Sequence, residues 1–202
     1  MTADVLERAL AAERAAESEL STIPEWIWDG VSLPVPIETL ADSHYGLLVR
    51  EHEDLCELIG IPAQGHVSGL LMPATREIWI NAGEAARAPN RRRFTIGHEL
   101  GHWVLHCELG AHDGGAVHCR DATMREEGAV VDRDGSPHLA DLAEYPPPEL
   151  DANQFGAALL MPAALVAAER PGSGGDTERL AAIFGVSTMA MEKRLWFLDE
   201  AG

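Results

Sequence analysis

The stretch His98-Glu99-Leu100-Gly101-His102 constrains this chain more than any other, because two imidazoles four residues apart suit a helix. On a helix they project about 40° apart, so both can reach one ion. Glu99 falls about 60° beyond His102, near enough to reach water at such a site without joining the ligands. Two neutral nitrogen donors and a carboxylate that accepts a proton are what a zinc hydrolase requires. The lead-in Arg93-Phe94-Thr95-Ile96-Gly97 continues the helix, and Phe94, Leu105 and Leu109 share the histidines' face. Histidines on an apolar stripe need partners, and one metal ion serves both. Gly101 leaves space on the helix surface beside His102. The competing explanation is chance, which in a chain with 9 His produces this short pattern with a frequency on the order of a few per cent.

Catalytic zinc takes three protein ligands and keeps a position for water, so a third donor must come from elsewhere in the chain. Glu149 is the best candidate. On a helix beginning there, Ala152, Phe155, Gly156, Leu159 and Leu160 form one apolar stripe, and Glu149 lies on it. A carboxylate facing inward is costly unless a cation pairs with it. The alternative is that Glu149 only complements the helix dipole. Asp151 points about 160° away from Glu149 and reads as solvent-facing.

The rest of the chain surrounds these elements with an α+β pattern. Residues 3–20 read as a helix with a thin apolar stripe (Val5, Leu6, Leu10, Leu20), suited to weak packing or to a partner. Residues 37–44 read as a helix and 45–50 as a strand. Segments 65–72 and 77–81 read as a hairpin across Pro73-Ala74-Thr75-Arg76, giving with 45–50 a three-stranded sheet. Asn90 is placed to cap the motif helix, which Gly110 would end. Residues 110–148 show little periodicity, and a long loop of this kind is usually functional or mobile. The final segment reads as two short helices around Gly185-Val186-Ser187. The divisions expected are an N-terminal helix over 1–22, a main domain over 23–170 and a C-terminal helical segment over 176–202.

Composition narrows the function classes. With 46% hydrophobic residues the chain can build a core, and its formal charge of -18 opposes general nucleic-acid binding while favouring basic partners. No run of about 18 apolar residues is present, so no membrane span is expected. The first 21 residues lack the apolar centre of a signal peptide, and Cys56, Cys107 and Cys119 make no disulfide framework. A cytoplasmic location is the simplest expectation.

With these residues in place, the chain resembles the ImmA/IrrE family of metallopeptidases. The matching pieces are Ser68-Gly69-Leu70-Leu71, Ile78-Trp79-Ile80-Asn81, then Arg92 through His102 with Leu105-His106. Glu149, Ala152-Asn153 and Phe155 follow, running into Leu159-Leu160-Met161-Pro162. The last are Leu180-Ala181, Phe184-Gly185-Val186-Ser187, Ala190 and Arg194-Leu195. The resemblance implies a zincin-like core with the small sheet packed on the motif helix, and a helix-turn-helix-like segment at the C-terminus. It implies zinc (Zn2+) held by His98, His102 and Glu149, with Glu99 as general base. It also implies an endopeptidase that cleaves a helix-turn-helix repressor in a phage-like or stress-response system. A non-proteolytic regulator, or a toxin–antitoxin partner contacting through residues 1–22, is the rival expectation. Acidic residues outnumber basic ones over 176–200, so the C-terminal segment is not expected to bind DNA.

The segment between His102 and Glu149 looks longer than is usual for that family. It carries His106-Cys107, His112, His118-Cys119 and His138, whose spacing fits no common zinc site. His106 lies one turn beyond His102 and suits a supporting role behind it. Tyr145 and His138 are candidates for a second donor to an oxyanion.

Overall fold

A computed structural model describes residues 3–58, 60, 67–107, 117–120 and 146–201. In chain order its α-helices among the described residues are α1 (Ala3–Thr22), α2 (Ile37–Thr39), α3 (Leu55–Leu58), α4 (Ala82–Arg87), α5 (Pro89–His102), α6 (Pro147–Leu160), α7 (Ala163–Glu169), α8 (Thr177–Phe184) and α9 (Thr188–Ala201), with the pair α5 and α6 at the centre. Every residue from Thr95 to His102 is buried, so this stretch of α5 is enclosed on all sides, as suits a core helix. The two helices approach so closely because small residues face each other. A Cβ on Gly101 would lie 2.8 Å from the backbone of Ala152, and one on Gly156 would lie 2.9 Å from the backbone of Gly97 and His98. The space beside His102 is thus filled by α6.

A mixed sheet lies against α5. Its strands β1 (Leu48–His52), β2 (Val67–Met72), β3 (Glu77–Asn81) and β4 (Val117–Arg120) run in the order β1-β3-β2-β4. The hairpin of β2 and β3 is antiparallel as expected, and β1 joins β3 in parallel. The three-stranded sheet of the sequence reading is corrected to four strands, because β4 adds antiparallel to β2. That strand comes from the segment in which no period was visible. β1 also begins later than expected, at Leu48, because Leu40–His44 winds into a π-helical turn and Tyr45 and Leu47 lie buried before the strand.

Two other expectations change. The α5 start is not capped by Asn90: Pro89 sits in its first turn, and the Asn90 side chain donates to the Val186 carbonyl. Beyond His102 the helix widens into a π-helical turn, Trp103–Cys107.

The N-terminal helix α1 (Ala3–Thr22) packs on α6 through Ala9, Ala12 and Ala16, all buried, so its thin stripe reflects small side chains at a close contact. Its Glu13 is also buried, paired with Arg194 of the C-terminal helix α9 (Thr188–Ala201). The preceding α8 (Thr177–Phe184) is capped by Asp176, which accepts from the Arg179 amide, and ends at Gly185 with φ of 63°. Against Gly185 lie Arg93 and Pro34, and Arg93 donates to the Gly185 and Val35 carbonyls, tying the C-terminal helices to the start of α5. No single helix among the described residues is long and apolar enough to cross a membrane.

Candidate metal centre

His98 and His102 project from the buried face of α5, with their Nε2 atoms 3.0 Å apart. Glu149, in the first turn of α6, faces both: its Oε2 is 3.3 Å from His98 Nε2 and its Oε1 is 3.3 Å from His102 Nε2. One donor atom from each of the three residues lies within 4.8 Å of the others. Two imidazole nitrogens and a carboxylate oxygen are a donor set that suits zinc. The helix-dipole alternative does not account for a Glu149 carboxylate directed at two histidines. Burial alone would raise its pKa, but the adjoining His102 and His98 imidazoles outweigh that and hold it at about 2.

Glu99 is different. It is fully buried, and neither of its carboxylate oxygens has a hydrogen-bond partner among the described residues. Burial pushes its pKa up to about 8; nearby His98 lowers it, Glu149 raises it and the Leu71 peptide group lowers it. A buried carboxylate with two unsatisfied oxygens is costly, and a native structure retains one where chemistry requires it. Strand β2 makes room for it: a Cβ on Gly69 would lie 2.6 Å from Glu99 Oε1 and 2.4 Å from Thr95 Cγ2.

Neighbours behind the histidines set their proton positions. His98 Nδ1 is 2.9 Å from Asn153 Oδ1, so Nδ1 donates and Nε2 keeps its lone pair for the centre. Asn153 belongs to the stretch Glu149-x-x-Ala152-Asn153, but no periodicity argument singled it out. Its spacing of one turn from Glu149 was the available signal. His102 Nδ1 is 3.1 Å from His106 Nδ1, so His106 stands directly behind His102. Asp151 does not face solvent: its side chain is 16% exposed, engaged by Arg8 and 3.7 Å from His106 Nε2. The rotation angle from Glu149 was right, but α1 covers the face it points to. His112, His138 and Tyr145 lie outside the described residues, and so do the side chains of His118 and Cys119.

A search of curated proteins finds no match. The family match is direct: residues 59–130 and 132–196, more than half the chain, fit the family Peptidase_M78, described as the IrrE N-terminal-like domain. The chain therefore belongs to this metallopeptidase family of the IrrE/ImmA type.

Proposed function

We propose that this protein is a zinc-dependent endopeptidase that cleaves a helix-turn-helix transcriptional repressor at a specific site. The observation that carries the catalytic part is Glu99, a buried carboxylate with no hydrogen-bond partner among the described residues, next in the chain to a ligand of a His-His-Glu donor set. His98, His102 and Glu149 would hold the metal. Zinc, when bound, supplies a Lewis acid that acidifies water and polarises the scissile carbonyl. Glu99 accepts a proton from the attacking water as its oxygen bonds to the carbonyl carbon. It then passes that proton to the amide nitrogen as the C–N bond breaks. Asn153 holds His98 so that its lone pair faces the centre.

The substrate class rests on family kinship and on charge. DNA-binding proteins carry basic surfaces, and a formal charge of -18 steers such a partner toward this chain while repelling duplex DNA.

The test is incubation with a purified helix-turn-helix repressor, with and without chelator, and mass spectrometry of the fragments. Cleavage at one site that chelator abolishes is expected. Glu99→Gln should retain bound zinc and lose cleavage by about 10²–10⁴-fold; undiminished cleavage by this variant would overturn the assignment.

A further inference from the structure

Arg8 lies far from the metal centre in sequence, on a helix outside residues 59–196 that the family match covers. It is nevertheless linked to that centre by a continuous series of side chains. Arg8 Nη2 contacts Asp151 Oδ2. The same oxygen is 3.7 Å from His106 Nε2, beyond hydrogen-bond length but near enough for its charge to act on that nitrogen. His106 Nδ1 is 3.1 Å from His102 Nδ1, and His102 Nε2 faces Glu149 and His98.

The chemistry fixes the direction of this series. To ligate a cation through Nε2, His102 must carry its proton on Nδ1 and donate it to a lone pair. The group opposite is His106 Nδ1, which offers a lone pair only if the His106 proton sits on Nε2. Asp151 stands on that side, where its carboxylate favours the N–H. Arg8 in turn fixes Asp151. The other oxygen, Asp151 Oδ1, is buried with no hydrogen-bond partner among the described residues. Architecture alone gives little reason to keep a half-satisfied carboxylate there.

From this geometry we infer that Arg8, Asp151 and His106 are positioning residues for the metal ligand His102, so that the N-terminal helix α1 sets the affinity of the centre for its metal. The inference rests on the reading of His98, His102 and Glu149 as zinc ligands. It assigns α1 a role in holding the metal, distinct from substrate recognition. Helix α6 then supports both imidazoles, His98 through Asn153 and His102 through Asp151 and His106.

The experiment is competition for zinc between a chromophoric chelator and the metal-free full chain, for wild type, Arg8→Met, Arg8→Lys, Asp151→Asn and Glu19→Gln. Thermal melts of each metal-free protein accompany the titrations. Asp151→Asn should weaken zinc binding by about 10–100-fold, and Arg8→Met by a smaller factor that Arg8→Lys partly restores. The metal-free melting temperatures should move little. Glu19→Gln is the control: it replaces the charged acceptor of the Tyr45 hydroxyl at the far end of α1 by a neutral one and leaves the series intact, so zinc affinity should stay at the wild-type value. Equal zinc affinity in wild type, Arg8→Met and Asp151→Asn overturns the inference, and so does an equal loss in Glu19→Gln. Should Asp151→Asn fail to fold, the Arg8 pair decides. A wild-type chain that binds no zinc instead overturns the metallopeptidase reading itself, a separate outcome.

Discussion

Glu13 and Glu99 are both buried carboxylates in the helical core, and the protein treats them oppositely. Glu13 is fully engaged. Arg194 meets it with two nitrogens, Nη1 to Oε2 at 2.5 Å and Nη2 to Oε1 at 2.6 Å, while Gln154 donates to Oε2. Arg194 spends its Nε on the Met161 carbonyl, so α1, α6 and α9 meet at one satisfied cluster. Neither oxygen of Glu99 has a hydrogen-bond partner among the described residues, although His98 and Glu149 lie close enough to shift its pKa. The difference separates architecture from chemistry. A charge whose hydrogen bonds are all used locks elements in place, whereas a carboxyl group whose oxygens are left open can take up and release a proton.

The comparison is broken most severely by removing Arg194. Arg194→Met leaves Glu13 buried beside apolar groups, and loss of one partner from a buried pair costs about 3–5 kcal/mol. Chemical denaturation should show this loss, and the double variant Glu13→Leu/Arg194→Met should recover most of it, because two apolar groups of similar bulk need no partner. A loss below about 1 kcal/mol for Arg194→Met would mean that the cluster is not what joins the three helices.

The two regions were unequally legible in the sequence. His98, His102 and Glu99 declare themselves by spacing on one helix, and Glu149 by a carboxylate on an apolar stripe; the structure brings these residues together. The Glu13–Arg194 pair gave no such signal. Its members are far apart in the chain, and each alone looks like an ordinary exposed helix residue. Asp151 misled for a related reason: helical geometry fixes the direction in which a side chain points, but not what covers that face. Two short apolar-rich segments on either side of Pro73-Ala74-Thr75-Arg76 identified the β2–β3 hairpin, whereas β4 lies where Gly, Asp and His interrupt any period and only pairing with β2 creates the strand. The alanine face of α1 was read as weak because a hydrophobicity pattern counts bulk. Close helix contact needs its absence.

A second, smaller break acts on the backbone between the regions. In Gly101→Ala the added Cβ would lie 2.8 Å from both Cα and O of Ala152. Main chain cannot yield as a flexible side chain can, so α6 must shift away from α5. Overpacking of this kind costs about 1–3 kcal/mol. Glu149 moves with α6, so zinc affinity should fall together with stability. If stability falls while zinc affinity holds, Glu149 is not held in register by the α5–α6 contact.

The smallest effect sharpens the contrast instead of breaking it. Glu99 has a folded-state pKa of about 8 against an ordinary 4.5. A raised carboxyl pKa means that the folded state prefers the proton. Its stability is therefore fully present below about pH 4.5 and is lost as pH rises toward 8. Glu99→Gln cannot ionise and escapes that loss. In the metal-free protein the variant should match wild type near pH 5 and exceed it at pH 8.5. The Gln amide meets the same shortage of partners as the protonated acid at either pH, so the difference between the two pH values reports the ionisation alone. Denaturant midpoints at the two pH values measure it. No substitution at Glu13 shares this signature, because removing a satisfied carboxylate strands Arg194. A Glu99→Gln chain less stable than wild type at pH 8.5 would show that Glu99, like Glu13, serves the fold.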